Sequence, residues 1–364
     1  MKQSKLEKII TNSEKAGYLF LFLFPLQIVY RIVIYLRNLL YDKSIFKQQS
    51  VKPFIISVGS IAFGGSGKTP ITAYIARILI RSNYKVAILA RGYKTKIRKP
   101  LIVSDYSSIL LSPPDAPDEP FLLAKNLNVP VVCTPKRIIG AKLIERKFQS
   151  ECIILDDGFQ HRSIHRDLNI LTIDINDIFN SNLLPLGPLR EPVANLKRAD
   201  IIILFINGDY KREQLDLDQI RNYINKLNKS CELFFATGEI EAFINFKTNE
   251  QVDIKGATFL FSAIAKPDRF LHANKVSNLT IKGYKNFRDH HLYSEDDLKM
   301  IVKLADKLGA LNILTTEKDI VKLINHQKIF ENSNLLFTKY EAKIIDDSEK
   351  FEALLNSKFS LKKV

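Results

Sequence analysis

Ser57–Pro70 reads Ser-Val-Gly-Ser-Ile-Ala-Phe-Gly-Gly-Ser-Gly-Lys-Thr-Pro. An apolar run, Phe54–Val58, feeds a glycine-rich turn, which passes through Gly67-Lys68-Thr69 into a helical pattern at Ile71–Ile80. This is the strand–loop–helix pattern of a P-loop. Glycines let backbone N–H groups crowd around phosphate oxygens, and the following helix adds the positive end of its dipole. Gly64, Gly65, Ser66, Gly67, Lys68 and Thr69 are therefore expected to bind a nucleotide. Lys68 would reach its β- and γ-phosphates, and the Thr69 hydroxyl would ligate Mg²⁺. The motif G-x-x-x-x-G-K-[ST] expects glycine at 62, where Ala62 stands. A glycine-rich turn with a solvated lysine is the plainer reading, and the strand–helix context argues against it.

Working outward, Cys152-Ile-Ile-Leu-Asp-Asp-Gly158 resembles a Walker B strand. A carboxylate at the end of a buried strand beside a P-loop can hold Mg²⁺, so Asp156 and Asp157 are candidate metal residues. Gln160 and His161 follow as candidate substrate contacts. Lys85–Leu89, Val129–Cys133, Leu168–Asp174 and Ile201–Phe205 are continuous apolar runs, as strands of a parallel sheet are. Two arginines just past such runs, Arg91 and Arg137, are candidate phosphate contacts. Leu183–Pro192 is too rich in Pro and Gly for a helix or central strand, and reads as a rigid loop presenting Arg190 and Glu191. Arg190 is the candidate clamp for a γ-phosphate. Asp118 and Glu119 lie at the start of a helix over Phe121–Leu127; an N-cap is the plainer reading.

From about residue 245 the texture changes to a second, smaller α/β unit. It contains a strand at Gly256–Ser262, the pair His290-His291, and a helix at Ser294–Leu308 started by a capping-box-like Ser294/Asp297. A strand at Asn312–Leu314 runs into Thr-Thr-Glu-Lys-Asp, and residues 346–364 read as a polar helix with a basic tail. At the other end, four lysines precede an apolar stretch, Tyr18–Arg37, interrupted by Pro25, Gln27 and Arg31. No cleavage site of small residues follows. The stretch is expected to lie in or dip into a membrane leaflet, with Tyr18, Tyr30, Tyr35 and Tyr41 at the interface. A buried helix of the core is the alternative. The expected division is 1–45 membrane-associated, 46–245 P-loop core and 246–364 C-terminal domain.

The 364 residues carry a net charge of +15, which calls for an anionic partner: nucleic acid, an acidic membrane or a phosphorylated substrate. The lysines are scattered, with no RGG tract, zinc motif or RNP-like aromatic stretch, so nucleic acid is not expected. Three cysteines without metal spacing read as reduced thiols and exclude a sulfur-bound zinc. The chain is expected to act as a monomer.

Taken together the motifs resemble the lipid A 4′-kinases, the tetraacyldisaccharide 4′-kinases. They are V-G-S-I-A-F-G-G-S-G-K-T-P, A-R-G-Y, P-D-E-P, P-K-R, L-D-D-G-F-Q-H, L-P-L-G-P-L-R-E-P, the Asp289-His290 pair and T-T-E-K-D. That family's loop also lacks the first glycine. Ser60, often Asn in the family, and Lys94, commonly Gly, depart from its pattern. The resemblance implies a P-loop NTPase-like core and ATP–Mg²⁺-dependent phosphorylation of the 4′-hydroxyl of a tetraacylated glucosamine disaccharide 1-phosphate. It places this at the cytoplasmic face of a Gram-negative inner membrane. It also implies that Asp118 takes the sugar hydroxyl proton with His290 paired to it, so the site closes at the cleft between the two domains. A membrane-bound P-loop ATPase switch that recruits a protein partner is the competing function.

Overall fold

A computed structural model describes residues 17–92, 99–179, 182–206 and 216–360, with side chains from residue 23 on except Val276. The lysine-rich start, the Tyr18 side chain, Lys94 and the last residues of the basic tail lie outside these. One sheet of twelve strands runs through the molecule. In chain order the strands are β1 (Phe54–Gly59), β2 (Val86–Ala90), β3 (Leu101–Ser104), β4 (Val131–Cys133), β5 (Cys152–Asp156) and β6 (Leu168–Asp174). They continue with β7 (Ile201–Ile206), β8 (Glu232–Asn245), β9 (Ala257–Ser262), β10 (Thr280–Asn286), β11 (Asn312–Thr316) and β12 (Asn334–Ile344). Their spatial order is β10-β9-β11-β12-β8-β7-β6-β1-β5-β2-β4-β3. Only β8–β12 and β3–β4 pair antiparallel.

The apolar runs sit centrally because a parallel strand is covered on both faces by helices. Every residue of β1, β2, β5 and β7 is buried. Seven of the nine described α-helices are α1 (Gly17–Asp42), α2 (Lys68–Arg81), α3 (Asp118–Leu127), α4 (Arg137–Phe148), α5 (Leu217–Leu227), α6 (Pro267–Val276) and α7 (Glu295–Lys307). The expected capping box is formed: the Ser294 hydroxyl accepts from the Asp297 N–H, and the Asp297 carboxylate accepts from the Ser294 N–H.

The join between the halves explains where a site can form. β7 pairs with the first part of β8, Glu232–Thr237, while Leu336, Phe337 and Thr338 of β12 lie opposite Asn245, Ile244 and Phe243 at its far end. β11 pairs with Asn334–Thr338, so the C-terminal half is offset along β8. Since β12 is antiparallel to β8, β9, β11 and β12 run opposite to the N-terminal strands. Offset and reversal together turn the carboxyl ends of the two sets of strands toward each other, and carboxyl ends are where α/β folds place ligands.

The two halves share one apolar core that includes Phe54, Ile203, Phe234, Phe261 and Phe337. The last helix, α9 (Ser348–Ser360), returns to the N-terminal half. Its Phe359 ring lies 5.2 Å from Phe54 and 4.2 Å from Tyr84, and Phe351 lies 5.0 Å from Phe234. The sheet therefore continues across the boundary expected near residue 245.

α1 is not a buried core helix. Leu23–Asp42 is long and apolar enough to cross a membrane by length and composition, with 11% of it buried. Leu26, Val29, Val33 and Tyr35 are all more than half exposed, while Ile34 and Asn38, one turn apart, face inward.

Candidate active site

The phosphate loop leaves β1 and enters α2. Gly64 (φ 104°) and Gly67 (φ 77°) adopt left-handed backbone, where a side chain is strained. A Cβ on Gly67 would also lie 2.4 Å from the Phe205 ring. Gly67 caps α2 without any side-chain bond, which leaves the first N–H groups of the helix for an anion. Ala62, where the motif expects glycine, is buried and forms a bridge with Leu189 of the 183–192 loop, so it serves packing. Lys68 Nζ lies 3.3 Å from the Gly64 carbonyl, 3.4 Å from Ser66 Oγ and 3.9 Å from Asp157 Oδ1. Thr69 is half-buried in the first turn of α2.

Asp156 ends β5 beside this loop and accepts a hydrogen bond from Thr72 at 3.1 Å. Burial, then the neighbouring Glu119 and Asp157 carboxylates, push Asp156 up to about 7. Asp157 moves the other way. Burial acts to raise it, but Lys68 and Arg190 outweigh burial and hold it below the usual carboxylate range. Arg190 NH1 donates to both Asp157 oxygens at 2.9 and 2.8 Å, and the guanidinium lies 5.3 Å over the Phe63 ring. The Arg190 backbone is fixed as well: its N–H donates to the Ile61 carbonyl, and its carbonyl accepts from Tyr30 Oη at 2.8 Å.

Gln160 is a bracket between these parts. Its Nε2 donates to the Ser60 carbonyl at 2.9 Å and its Oε1 faces Arg190 NH1 at 3.4 Å. Burial, then Arg137, push His161 down to about 3, so it is neutral at physiological pH. Arg91 is exposed just past β2. Arg137 departs from the expected role. It is 1% exposed, and its NH1 and NH2 donate to the Thr134 and Asp156 carbonyls, both at 2.9 Å. Its guanidinium supports the end of β5 from beneath instead of facing a substrate.

Asp118 and Glu119 occupy the first turn of α3, and Pro117 is the N-cap, so neither carboxylate caps the helix. The C-terminal half brings His290 to within 3.8 Å (Nδ1) of Asp118 Oδ2. Lys322 Nζ, nearly buried, lies 3.9 Å from the same oxygen and 2.8 Å from Asp319. Burial acts to raise the Asp118 pKa, but His290, Lys322 and Lys318 together lower it. His291 is placed elsewhere: it stacks on Phe287 and lies 2.9 Å from Asp297 Oδ2. Glu119 connects the two sides. It accepts from Lys318 at 2.8 Å and lies close enough to feel the charges of both His290 and Lys68.

Thr72, Glu119, Lys318 and Lys322 are the site residues that sequence reasoning did not assign. Lys318 lies in the quoted T-T-E-K-D motif, but its partner is 199 positions away. The Thr316 hydroxyl and the Ala263 N–H both bond Asp319, and the Ala263 carbonyl accepts from the His290 N–H, so this turn positions His290.

A phosphate loop, a carboxylate pair at the adjacent strand end, and an acid–histidine pair closing from the opposite half define a P-loop phosphotransferase. The family model for tetraacyldisaccharide-1-P 4′-kinase matches residues 19–360, and the chain belongs to that family. The tetraacyldisaccharide 4′-kinase of Desulfotalea psychrophila is 38% identical over 85% of this chain and 90% of its own length. That of Aquifex aeolicus is 35% identical over 85% and 91%. The solved structure of LpxK from Aquifex aeolicus in complex with ATP covers 94% of this chain and 99% of its own, with a TM-score of 0.74 and 32% identity.

Proposed function

We infer that the chain is an ATP-dependent kinase of lipid A biosynthesis, phosphorylating the 4′-hydroxyl of a tetraacylated glucosamine disaccharide 1-phosphate. The observation that carries this reading is the meeting of Asp118 and His290 from opposite halves, beside a phosphate loop. An ATPase switch has no use for such a pair.

A loose phosphoryl transition state needs positioning and charge neutralisation more than a strong base. Lys68 and the loop amides hold the triphosphate. Arg190, held flat by Asp157 and Phe63, neutralises charge growing on the transferred group. Asp118 accepts the hydroxyl proton, and His290 stabilises the dyad. Arg91, Gln160 and His161 serve the acceptor in this reading.

Asp156 and Thr69 fit Mg²⁺, while Asp157, the other candidate metal residue, accepts from Arg190 with both oxygens. Asp156 ends β5 beside the phosphate loop, and Glu119 and Asp157 lie close enough to act on its charge. Among the described residues no cluster of three or more groups could hold a metal alone, and Mg²⁺ at phosphates typically takes only one or two protein carboxylates. When bound, it would neutralise phosphate charge. The exposed apolar face of α1 lies in the cytoplasmic leaflet, bringing an acylated acceptor to the site; a monomer suffices for every group invoked.

The test is transfer of label from γ-³²P-ATP to the tetraacyl disaccharide 1-phosphate with Mg²⁺ and detergent. Wild type should give labelled lipid and Lys68→Ala none. ATP hydrolysis without labelled lipid would overturn the kinase reading in favour of the switch.

A further inference from the structure

Outside the groups used above, one buried charge cluster touches the phosphate loop. Asp174 ends β6, the strand beside β1, and is fully buried. A lone buried carboxylate is costly, so it must be matched. Both matching cations come from the C-terminal half. Lys266 Nζ lies 2.6 Å from Asp174 Oδ2 and 3.8 Å from Asp177, and Arg269 NH2 pairs with the same Asp174 oxygen. Arg269 spends its other terminal nitrogen on the loop: NH1 donates to the Gly65 carbonyl at 2.5 Å. The Asp174 Oδ1 accepts from the Asn176 N–H, so this carboxylate is held on both oxygens.

We propose that Asp174, Lys266 and Arg269 form a latch that sets the shape of the phosphate loop, with Arg269 a positioning residue for ATP. The proposal rests on reading the loop as the ATP site. A planar peptide has one orientation once its carbonyl is fixed. Pinning the Gly65 oxygen therefore fixes the Gly65–Ser66 peptide, two residues before the Lys68 helix begins. Glycine at 64 and 65 leaves this stretch free to turn unless something holds it. The loop's other supports come from the N-terminal half: Ser66 Oγ lies 3.4 Å from Thr172 Oγ1 of β6, which bonds the Gly59 carbonyl, Gln160 bonds the Ser60 carbonyl, and the Phe63 N–H bonds the Pro188 carbonyl; none of these holds the Gly65 peptide.

The latch also sets a distance. Lys266 and Arg269 stand at the N-cap and first turn of α6, a few residues after Ala263. The Ala263 carbonyl holds the His290 N–H at 3.1 Å. One short segment thus fastens to the phosphate loop at one end and to the dyad histidine at the other. Breaking the latch loosens the ATP side first, because His290 keeps its Ala263 bond and, through Ala263, the link to Asp319.

The test compares Arg269→Gln, Asp174→Asn and their double variant, varying ATP and lipid separately. Arg269→Gln should raise the KM for ATP by about 5- to 20-fold. It should change kcat at saturating ATP by less than about threefold and leave the lipid KM in place. Arg269→Lys should recover part of the loss, since one ammonium reaches either Gly65 or Asp174. The double variant should be no worse than the worse single, because the residues act as a unit. An ATP KM within twofold of wild type would overturn the proposal. So would equal losses for both substrates with a lowered Tm, which would make the cluster a fold prop. If Arg269→Gln does not fold, Asp174→Asn, which keeps the side-chain shape, carries the same comparison. Lys68→Ala run alongside separates the two failures. A silent Arg269 beside a damaged Lys68→Ala removes the latch alone, whereas ATP binding intact in Lys68→Ala removes the ATP reading of the loop.

Discussion

Replacing Asp156 by Asn should make the protein more stable and the enzyme inactive, with a pH signature that identifies the cause. Asp156 is 6% exposed and is pushed from 3.8 up to about 7, first by burial and then by Glu119 and Asp157. Its folded-state value lies above its unfolded one. Between pH 4 and 7 the folded state thus holds a proton that the unfolded chain has released, and stability falls as pH rises. A tenfold change in proton affinity is about 1.4 kcal/mol, so the full penalty above pH 7 is roughly 4 kcal/mol, an upper bound because the neighbouring carboxylates adjust together. Asn keeps an oxygen for the Thr72 hydroxyl and carries no charge. It should stabilise the ligand-free protein by roughly 1–3 kcal/mol more at pH 8 than at pH 5, a Tm gain of a few °C for a chain of this size. Activity should fall by about 100-fold or more, as when a group facing transition-state charge is lost. Thermal melts at both pH values, with and without ATP and Mg²⁺, check this. A variant no more stable than wild type at pH 8, or one that ATP and Mg²⁺ stabilise as fully as wild type, would refute the reasoning.

Asp118→Asn and His290→Ala should each lower kcat by about 10²- to 10⁴-fold, leave the KM for ATP within about threefold, and show little further loss when combined. Lys322 keeps Asp319, so Tm should barely move. Because His290, Lys322 and Lys318 hold Asp118 below the usual carboxylate range against its burial, it stays ionised at neutral pH. Loss of the base should then appear only in acid, below the usual carboxylate range. Arg137→Met leaves the Thr134 and Asp156 carbonyls unpaired and should cost roughly 2–4 kcal/mol of stability, read by denaturation. A raised lipid KM at unchanged stability would restore it as a substrate contact. Val29→Asp with Val33→Asp, both on the exposed face of α1, should weaken co-sedimentation with anionic liposomes several-fold at unchanged Tm; unaltered binding would move the membrane contact elsewhere.

The central strands were legible because a strand buried on both faces is apolar nearly throughout: β7 is entirely so, β1 is broken only by Ser57, and β5 carries its one charge, Asp156, at the end that faces the site. The phosphate loop was legible because few residues tolerate its backbone. β8 and β12 were not legible, although they join the halves. Their outer faces are half-exposed and carry cross-strand ion pairs such as Lys339–Glu241 at 2.9 Å and Lys343–Glu239 at 2.8 Å. Such strands lack the apolar signature, and their stability comes from neighbours that one strand's sequence does not contain. The burial of Arg137 was hidden for a related reason. An arginine after a strand reads as a phosphate contact when its surroundings are unknown, whereas here its terminal nitrogens donate to two backbone carbonyls. Glu119 and Lys318 each lie in a short motif, but nothing local says that they pair, and the offset between the halves brings them together.

α1, too, takes its role from residues far along the chain. A membrane anchor could be an appendage, but this helix is built into the site. Tyr30 holds the Arg190 carbonyl, Arg37 donates to the Gln160 carbonyl, and Asn38 donates to Glu191 at 3.1 Å. Glu191 is fully buried between Asn38, Asn195 and Arg198, and Arg162 ties the helix again through the Asn38 carbonyl and Asp42. The inward-facing Tyr30, Ile34 and Asn38 recur every four residues, the spacing of one helix face, and the outward positions from Leu26 to Leu36 are apolar except for Arg31. One helix therefore presents an exposed, largely apolar face on one side and fixes the backbone of Arg190, the proposed γ-phosphate clamp, on the other. If the proposed membrane contact holds, this joint would set the height of Arg190 relative to the bilayer through the backbone, with no flexible linker between anchor and site.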